Sequence, residues 1–183
     1  SDLRWSLSKN YSIIYNLDGG ENSLENPISF NVETNDIILK APTKLGYTFT
    51  DRVNEDGYTV TKIPKGTIGN ITLTATWTPN SNTQYTVEYW WQNTEDDNYS
   101  LASSEYKTGT TNSSTNAVAT EFEGFISKDF EQQTINPDGS TTVQIYYDRK
   151  IFTLSLDGYY SIYGKYGSPV NHSLLKPTRK GYT

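Results

Sequence analysis

The sequence contains no cysteine, no methionine and a single histidine, and each shortage removes a class of chemistry. Without cysteine there are no disulfides, no thiolate metal ligands and no thiol nucleophile. Without methionine the chain does not begin at a natural initiator and reads as a piece of a longer protein. The one imidazole, His172, stands between Asn171 and Ser173. A nucleophilic triad needs a positioned base, and a lone histidine in a polar context is far more often a surface or packing residue. No GxSxG, HExxH or phosphate-binding glycine loop occurs. Basic charge is scarce too: a net charge of -6 and a pI near 4.8 argue against nucleic acid or anionic lipid as a partner, since both need a basic footprint. No apolar run reaches the roughly 18 residues of a membrane span, and no signal-like segment is present. Any export or anchoring signal is expected outside this stretch.

What is present is aromatic and repetitive. Hydrophobic content of 34% is low for one large core, but 14% aromatics, with 15 Tyr and 4 Trp, argue against disorder. Small cores built on large rings fit both figures, and 183 residues accommodate several small modules. A seven-residue phrase occurs twice, PTKLGYT at Pro42–Thr48 and PTRKGYT at Pro177–Thr183, and a repeat of this kind marks one point in a recurring structural unit.

From Tyr11 the chain alternates, with Tyr11, Ile13, Tyr15 and Leu17 on one face, which is the period of a half-buried strand. Asp18-Gly19-Gly20 supplies a reversal. Further strands are predicted at Ile28–Val32, Ile37–Leu39, Gly46–Phe49, around Val60 and Ile63, and at Ile71–Trp77, with Asp51–Gly57 (DRVNEDG) as a polar turn. No helical spacing of apolar residues appears over this region. Tyr15, Phe49 and Trp77 are its expected core rings. Residues 1–10, with Leu3-Arg4-Trp5, read as the end of a preceding repeat or as a terminal extension.

YSIIYNLDGGENSLENP, followed by PTKLGYTF and IPKGTIGNITLTATW, resembles the internalin B-type B-repeat, or Listeria-Bacteroides repeat. The resemblance covers residues 11–79 and implies a mainly β, β-grasp-like α+β module, repeated in tandem in an elongated array on a bacterial cell surface. The chain departs from that pattern after GYTF, where the family places Gly-Trp and this sequence has Thr50-Asp51-Arg52-Val53. Packing of that strand is therefore expected to differ.

After the linker PNSNTQ, a second module spans 85–149. Tyr85, Val87, Tyr89 and Trp91 alternate with Thr86, Glu88, Trp90 and Gln92, so Tyr89 and Trp91 are expected in the core. Residues 108–120 are a loop, a plain strand or a short helix around Ala117–Glu121. Phe122, Phe125 and Phe130 supply rings, Asn136-Pro137-Asp138-Gly139 is a turn, and Thr141–Asp148 is the closing strand. This span resembles B-repeat-associated modules and, more loosely, mucin-binding-protein repeats, also β-grasp-like. Phe152, Leu154 and Leu156 then restart the first pattern in a truncated third module, 151–183, which is too short to bury a core alone.

No catalytic, cofactor-binding or metal-ligating residue is assigned. Carboxylate pairs such as Glu121/Glu123 and Asp96/Asp97 read as solvated edges or turns. DRVNEDG has Val53 where a calcium loop needs an oxygen ligand, leaving only incidental cation contacts through Asp51, Glu55 and Asp56 or through Glu95–Asp97. Trp90 is the one candidate ligand contact: if Tyr89 and Trp91 point inward it points outward. There its indole stacks on a sugar or a protein partner, or is covered by a neighbouring module. The expected role is a non-enzymatic stalk or spacer, the alternative an adhesive module that binds host glycan, mucin or protein. The head and tail of the chain, as the end and the beginning of a repeat, are also expected to permit head-to-tail self-association.

Overall fold

The computed structural model describes residues 8–156, 158 and 160–169, and it is built of strands; no helix occurs among them. The PTRKGYT phrase and His172 lie outside the described residues, as do residues 1–7 of the head (1–10) and residues 157, 159 and 170–183 of the tail (151–183) that are expected to associate. The chain divides into two compact units.

The first unit comprises Ser1–Gln84 together with Thr108–Ser114 and Thr134–Ser140. Its six strands are β1 (Tyr11–Asn16), β2 (Ser29–Phe30), β3 (Ile37–Ile38), β4 (Tyr47–Val53), β5 (Lys62–Ile63) and β6 (Ile71–Pro79). Four of them form a sheet in the order β2-β1-β6-β4, and β3 pairs separately with β5. The first and last strands, β1 and β6, lie side by side and parallel, from Ile13↔Ile71 to Asn16↔Thr74. The alternation of β1 gives it one core face: Ile13 is buried while Ser12, Ile14 and Asn16 face water. Ile13, Phe30, Leu39, Ile63 and Leu73 make the core, with Tyr11, Tyr15, Ile37, Val60 and Ile71 packed on it.

The family departure after GYTF takes a definite form. A β-bulge between Phe49 and Asp51 shifts the register of β4 against β6 and reverses which parity faces inward. Arg52, opposite Ala75, is consequently buried. Only Asn54–Gly57 of DRVNEDG turns; Asp51, Arg52 and Val53 belong to β4.

The second unit comprises Tyr85–Lys107, Thr115–Gln133 and Thr141–Thr183. Its sheet is β7 (Thr83–Gln92), β8 (Tyr99–Gly109), β9 (Phe125–Ser127) and β10 (Thr142–Arg149), ordered β8-β7-β10-β9. Again the first and last strands are neighbours and parallel, from Thr142↔Thr86 to Tyr147↔Trp91. A hairpin of β11 (Ile151–Leu156) and β12 (Tyr160–Lys165) follows. Tyr85, Val87, Tyr89, Phe125, Val143, Ile145 and Tyr147 are buried. Of the three readings of residues 108–120, the helix is absent: after Gly109 the chain turns and runs on irregularly to Phe122.

Both sheets thus place their strands, numbered by order within each, as 2-1-4-3 around a parallel central pair. That is the strand order of a β-grasp, with irregular chain in place of the crossover helix. The α part of the α+β expectation is accordingly not found among the described residues, and the fold is mainly β.

Candidate functional site

Each ring expected in a core can be placed. Tyr15 is half-buried and its hydroxyl donates to Pro27 O at 2.6 Å. Phe49 and Trp77 are also half-buried, meeting edge to face at 5.8 Å, while the Trp77 indole N–H donates to Leu17 O at 2.9 Å. Tyr89 is buried, donates to Glu105 Oε1 at 2.6 Å and packs between Phe122 and Tyr147. Burial, together with its bond to Glu105, raises the Tyr89 phenol above the ordinary tyrosine range. Trp91 is half-buried and stacks on Phe125 at 4.3 Å, with its indole N–H buried and unpartnered.

Trp90 lies on the opposite face of the same sheet, half-exposed, and has aromatic company there. The parallel register sets Tyr146 level with it, and the two rings stack at 5.9 Å with planes 30° apart. Tyr99 meets the Tyr146 ring edge-on at 5.1 Å. Glu88 accepts from the Trp90 indole at 2.8 Å and from Gln144 Nε2 at 3.3 Å, and the Tyr146 hydroxyl donates to Gln144 Oε1 at 3.2 Å. On the far side the Tyr99 hydroxyl donates to Asp148, which holds its phenol above the ordinary range, and the Lys128 ammonium lies over the Tyr99 ring at 5.4 Å.

Chemically this is a half-exposed aromatic cluster with a rim of amide, carboxylate and ammonium groups. The rings offer apolar surface and the rim offers donors and acceptors, a combination suited to an amphipathic ring such as a pyranose. It offers no positioned nucleophile. Of these residues only Trp90 stands out in the sequence. Tyr146 is outward-facing by alternation in Ile145-Tyr146-Tyr147, but its pairing with Trp90 depends on the parallel register of β7 and β10, which leaves no local trace.

The acidic stretches are mostly committed elsewhere. Asp51 accepts from Thr76 and Thr59, and Asn54, not Glu55 or Asp56, caps the turn that follows. Asp96 accepts from Asn93 Nδ2 and Asn98 N, bonds that lower its pKa, and Asp97 pairs with Lys165 at 2.9 Å. Glu121 and Glu123 are exposed along a groove of about 610 Å³ that also includes Phe122, Ile126 and Tyr147. No cluster of three or more metal-ligating side chains occurs among the described residues.

No protein-family model matches the sequence, and no curated protein matches it. A solved structure of Streptococcal High Identity Repeats in Tandem (SHIRT) domains 3-4 from a cell surface protein is similar to it. The identity is 12% over 77% of this chain and 98% of that one, with a TM-score of 0.27.

Proposed function

We propose that this chain is a non-catalytic repeat segment of a bacterial cell-surface protein, working as a stalk or spacer. The observation that carries the mechanical part is the placement of the first and last strands of each sheet. β1 with β6, and β7 with β10, are parallel neighbours. Tension applied through the two ends of such a sheet loads the whole ladder between them in shear, so its hydrogen bonds must yield together. A hairpin pulled from its open end yields one bond at a time. Two sheets of one topology in a single chain also suit a repeated element. The bacterial-surface part rests on the resemblance of residues 11–79 to B-repeats. Stretching the chain by its ends tests the proposal: a spacer of this build holds force in steps set by its sheets.

A second reading is favoured by the platform of Trp90, Tyr146 and Tyr99, namely an adhesive module that takes host glycan directly. Binding to a glycan array or to mucin that disappears in Trp90→Ala would support it. Equal retention of wild type and variant would remove it.

A further inference from the structure

The phrase that repeats in the sequence has a structural counterpart that neither the turn it forms nor the spacer role accounts for. Lys44–Tyr47 is a tight turn closed by Tyr47 N to Lys44 O at 3.1 Å, with Gly46 at φ 76°. In the second unit Phe122–Phe125 is the same turn, closed at 3.2 Å, with Gly124 at φ 83°. Each glycine introduces the third strand of its sheet, β4 or β9. The registers agree: Tyr47 pairs with Pro79 and Phe125 with Arg149.

From each glycine runs the same relay of backbone hydrogen bonds. Gly46 O accepts from Asn80 N at 2.9 Å, and Asn80 O accepts from Thr111 N at 2.9 Å. Gly124 O accepts from Lys150 N at 2.9 Å, and Lys150 O accepts from Tyr166 N at 2.8 Å. Asn80 and Lys150 each follow the last strand of a sheet. Thr111 and Tyr166 each occupy the second position of a turn just after the second strand of the next hairpin, β8 or β12. Those turns match as well, closing Ser113 N to Thr110 O at 3.1 Å and Ser168 N to Lys165 O at 3.0 Å, with positive φ at Asn112 (65°) and Gly167 (78°).

The missing side chain of each glycine is where the later segment sits. A methyl group on Gly124 would lie 2.1 Å from the ring of Tyr166 in the plug turn itself, whereas one on Gly46 would lie 2.7 Å from Pro137 Cα, in the Asn136–Gly139 turn, Thr111 being held to Gly46 by hydrogen bonds. Gly57 and Gly66 also have positive φ, yet nothing approaches within 4 Å of a methyl group placed on either. Backbone conformation therefore accounts for glycine at those two, whereas Gly46 and Gly124 have a second requirement, space. Side chains secure each joint: the Thr111 hydroxyl donates to Gly46 O at 2.8 Å, and Arg149 Nη1 donates to Tyr166 O at 2.8 Å.

We propose that the glycine-aromatic step is a docking socket, and that the turn closing the next hairpin is its plug, so that one local rule joins each module of the chain to the one after it. Gly181-Tyr182 repeats the step in the sequence. The proposal rests on the repeat reading of the two sheets and is independent of the cell-surface assignment. Residue-resolved amide exchange on the full chain tests it, comparing Gly46→Ala with Gly57→Ala. Both substitutions strain a positive φ, but only the first meets a neighbour, Pro137, and so displaces the Gly46 carbonyl to which the Thr111 hydroxyl donates. Gly46→Ala is expected to lower protection of the Thr111 amide about tenfold or more beyond any change at Leu73, while Gly57→Ala lowers neither selectively. Should Gly46→Ala prevent folding, Tyr166→Ala serves for the second socket, lowering protection at position 166 by a similar factor with Val143 and Ile145 unchanged. Equal Thr111 protection in the two glycine variants, or undiminished protection at 166 in Tyr166→Ala, would overturn the socket while leaving the spacer proposal standing.

Discussion

Arg52→Met should leave the first unit as stable as wild type or more stable, although it deletes a buried, bonded side chain. Arg52 is 3% exposed, and among the described residues it makes no ion pair. Its guanidinium donates to Lys40 O and lies 5.1 Å from the Phe49 ring centre, with Nε unpartnered. Burial pushes its pKa below the ordinary arginine value, the sign of a charge held at a cost. Methionine forfeits a charged hydrogen bond worth about 1.5–3 kcal/mol and a cation–π contact worth about 1–2 kcal/mol. Against this stands the desolvation of an uncompensated cation, several kcal/mol. Lys40 O is not orphaned, because Asn26 Nδ2 also donates to it at 2.8 Å. The balance is between about zero and 3 kcal/mol of stabilisation, whereas Arg52→Ala opens a cavity and should cost about 2–5 kcal/mol. Urea titration followed by exchange of the Ile13 and Leu73 amides reads the first unit alone, avoiding a two-state assumption for the whole chain. Equal destabilisation by Met and Ala would mean that the Arg52 charge is compensated where it lies and is not held at a cost.

Three further outcomes are expected. Tyr147 is buried, its hydroxyl donates to Thr120 O at 2.7 Å, and burial lifts its pKa from 10.0 to about 12. A raised phenol pKa means stability that is complete below pH 10 and lost as pH climbs from 10 to 12, so alkaline unfolding of the second unit should fall in that window and flatten in Tyr147→Phe. Gly20→Ala should destabilise by about 1–3 kcal/mol, because a methyl group there lies 2.4 Å from Trp77 Cζ2; an unchanged melt would show that Trp77 moves freely. Trp90→Ala should cost less than about 1.5 kcal/mol, because the ring it loses is half-exposed and pairs mainly with Tyr146; a larger loss on denaturation would mark it as structural.

Much of the fold is legible in the sequence where burial is one-sided. The alternation in Tyr11–Asn16, Ile71–Trp77, Tyr85–Gln92 and Thr142–Tyr147 is written by a core on one face and water on the other, and each becomes a strand. β8 leaves no such mark, since most of Tyr99–Gly109 is exposed and none of it buried, and its strand form comes from pairing with β7. The bulge in β4 is equally silent: period-2 reading through Thr50 puts Asp51 inward, and the extra residue puts Arg52 there instead. Parallel pairing joins residues nearly 60 apart, as in Ile13↔Ile71, and such register is set by tertiary packing. For the same reason alternation singles out Trp90 and sets Glu88 beside it on the same strand face, whereas Tyr146 and Tyr99 could not be assembled around it. The repeated PTxxGYT phrase was legible as a recurring point, and its first glycine proves to be where a later turn packs.

Whether the chain is a repeated, force-bearing spacer is decided by stretching a single molecule by its ends. Tyr11 to Pro79 and Thr83 to Arg149 span 69 and 67 residues, so unfolding each sheet should release about 200 Å, the roughly 230 Å of extended chain less the span of the folded strands. Two abrupt steps of nearly equal length, each at a force well above that needed to unzip a hairpin, are the expected record. Gradual extension at low force, or steps unrelated to those lengths, would contradict it.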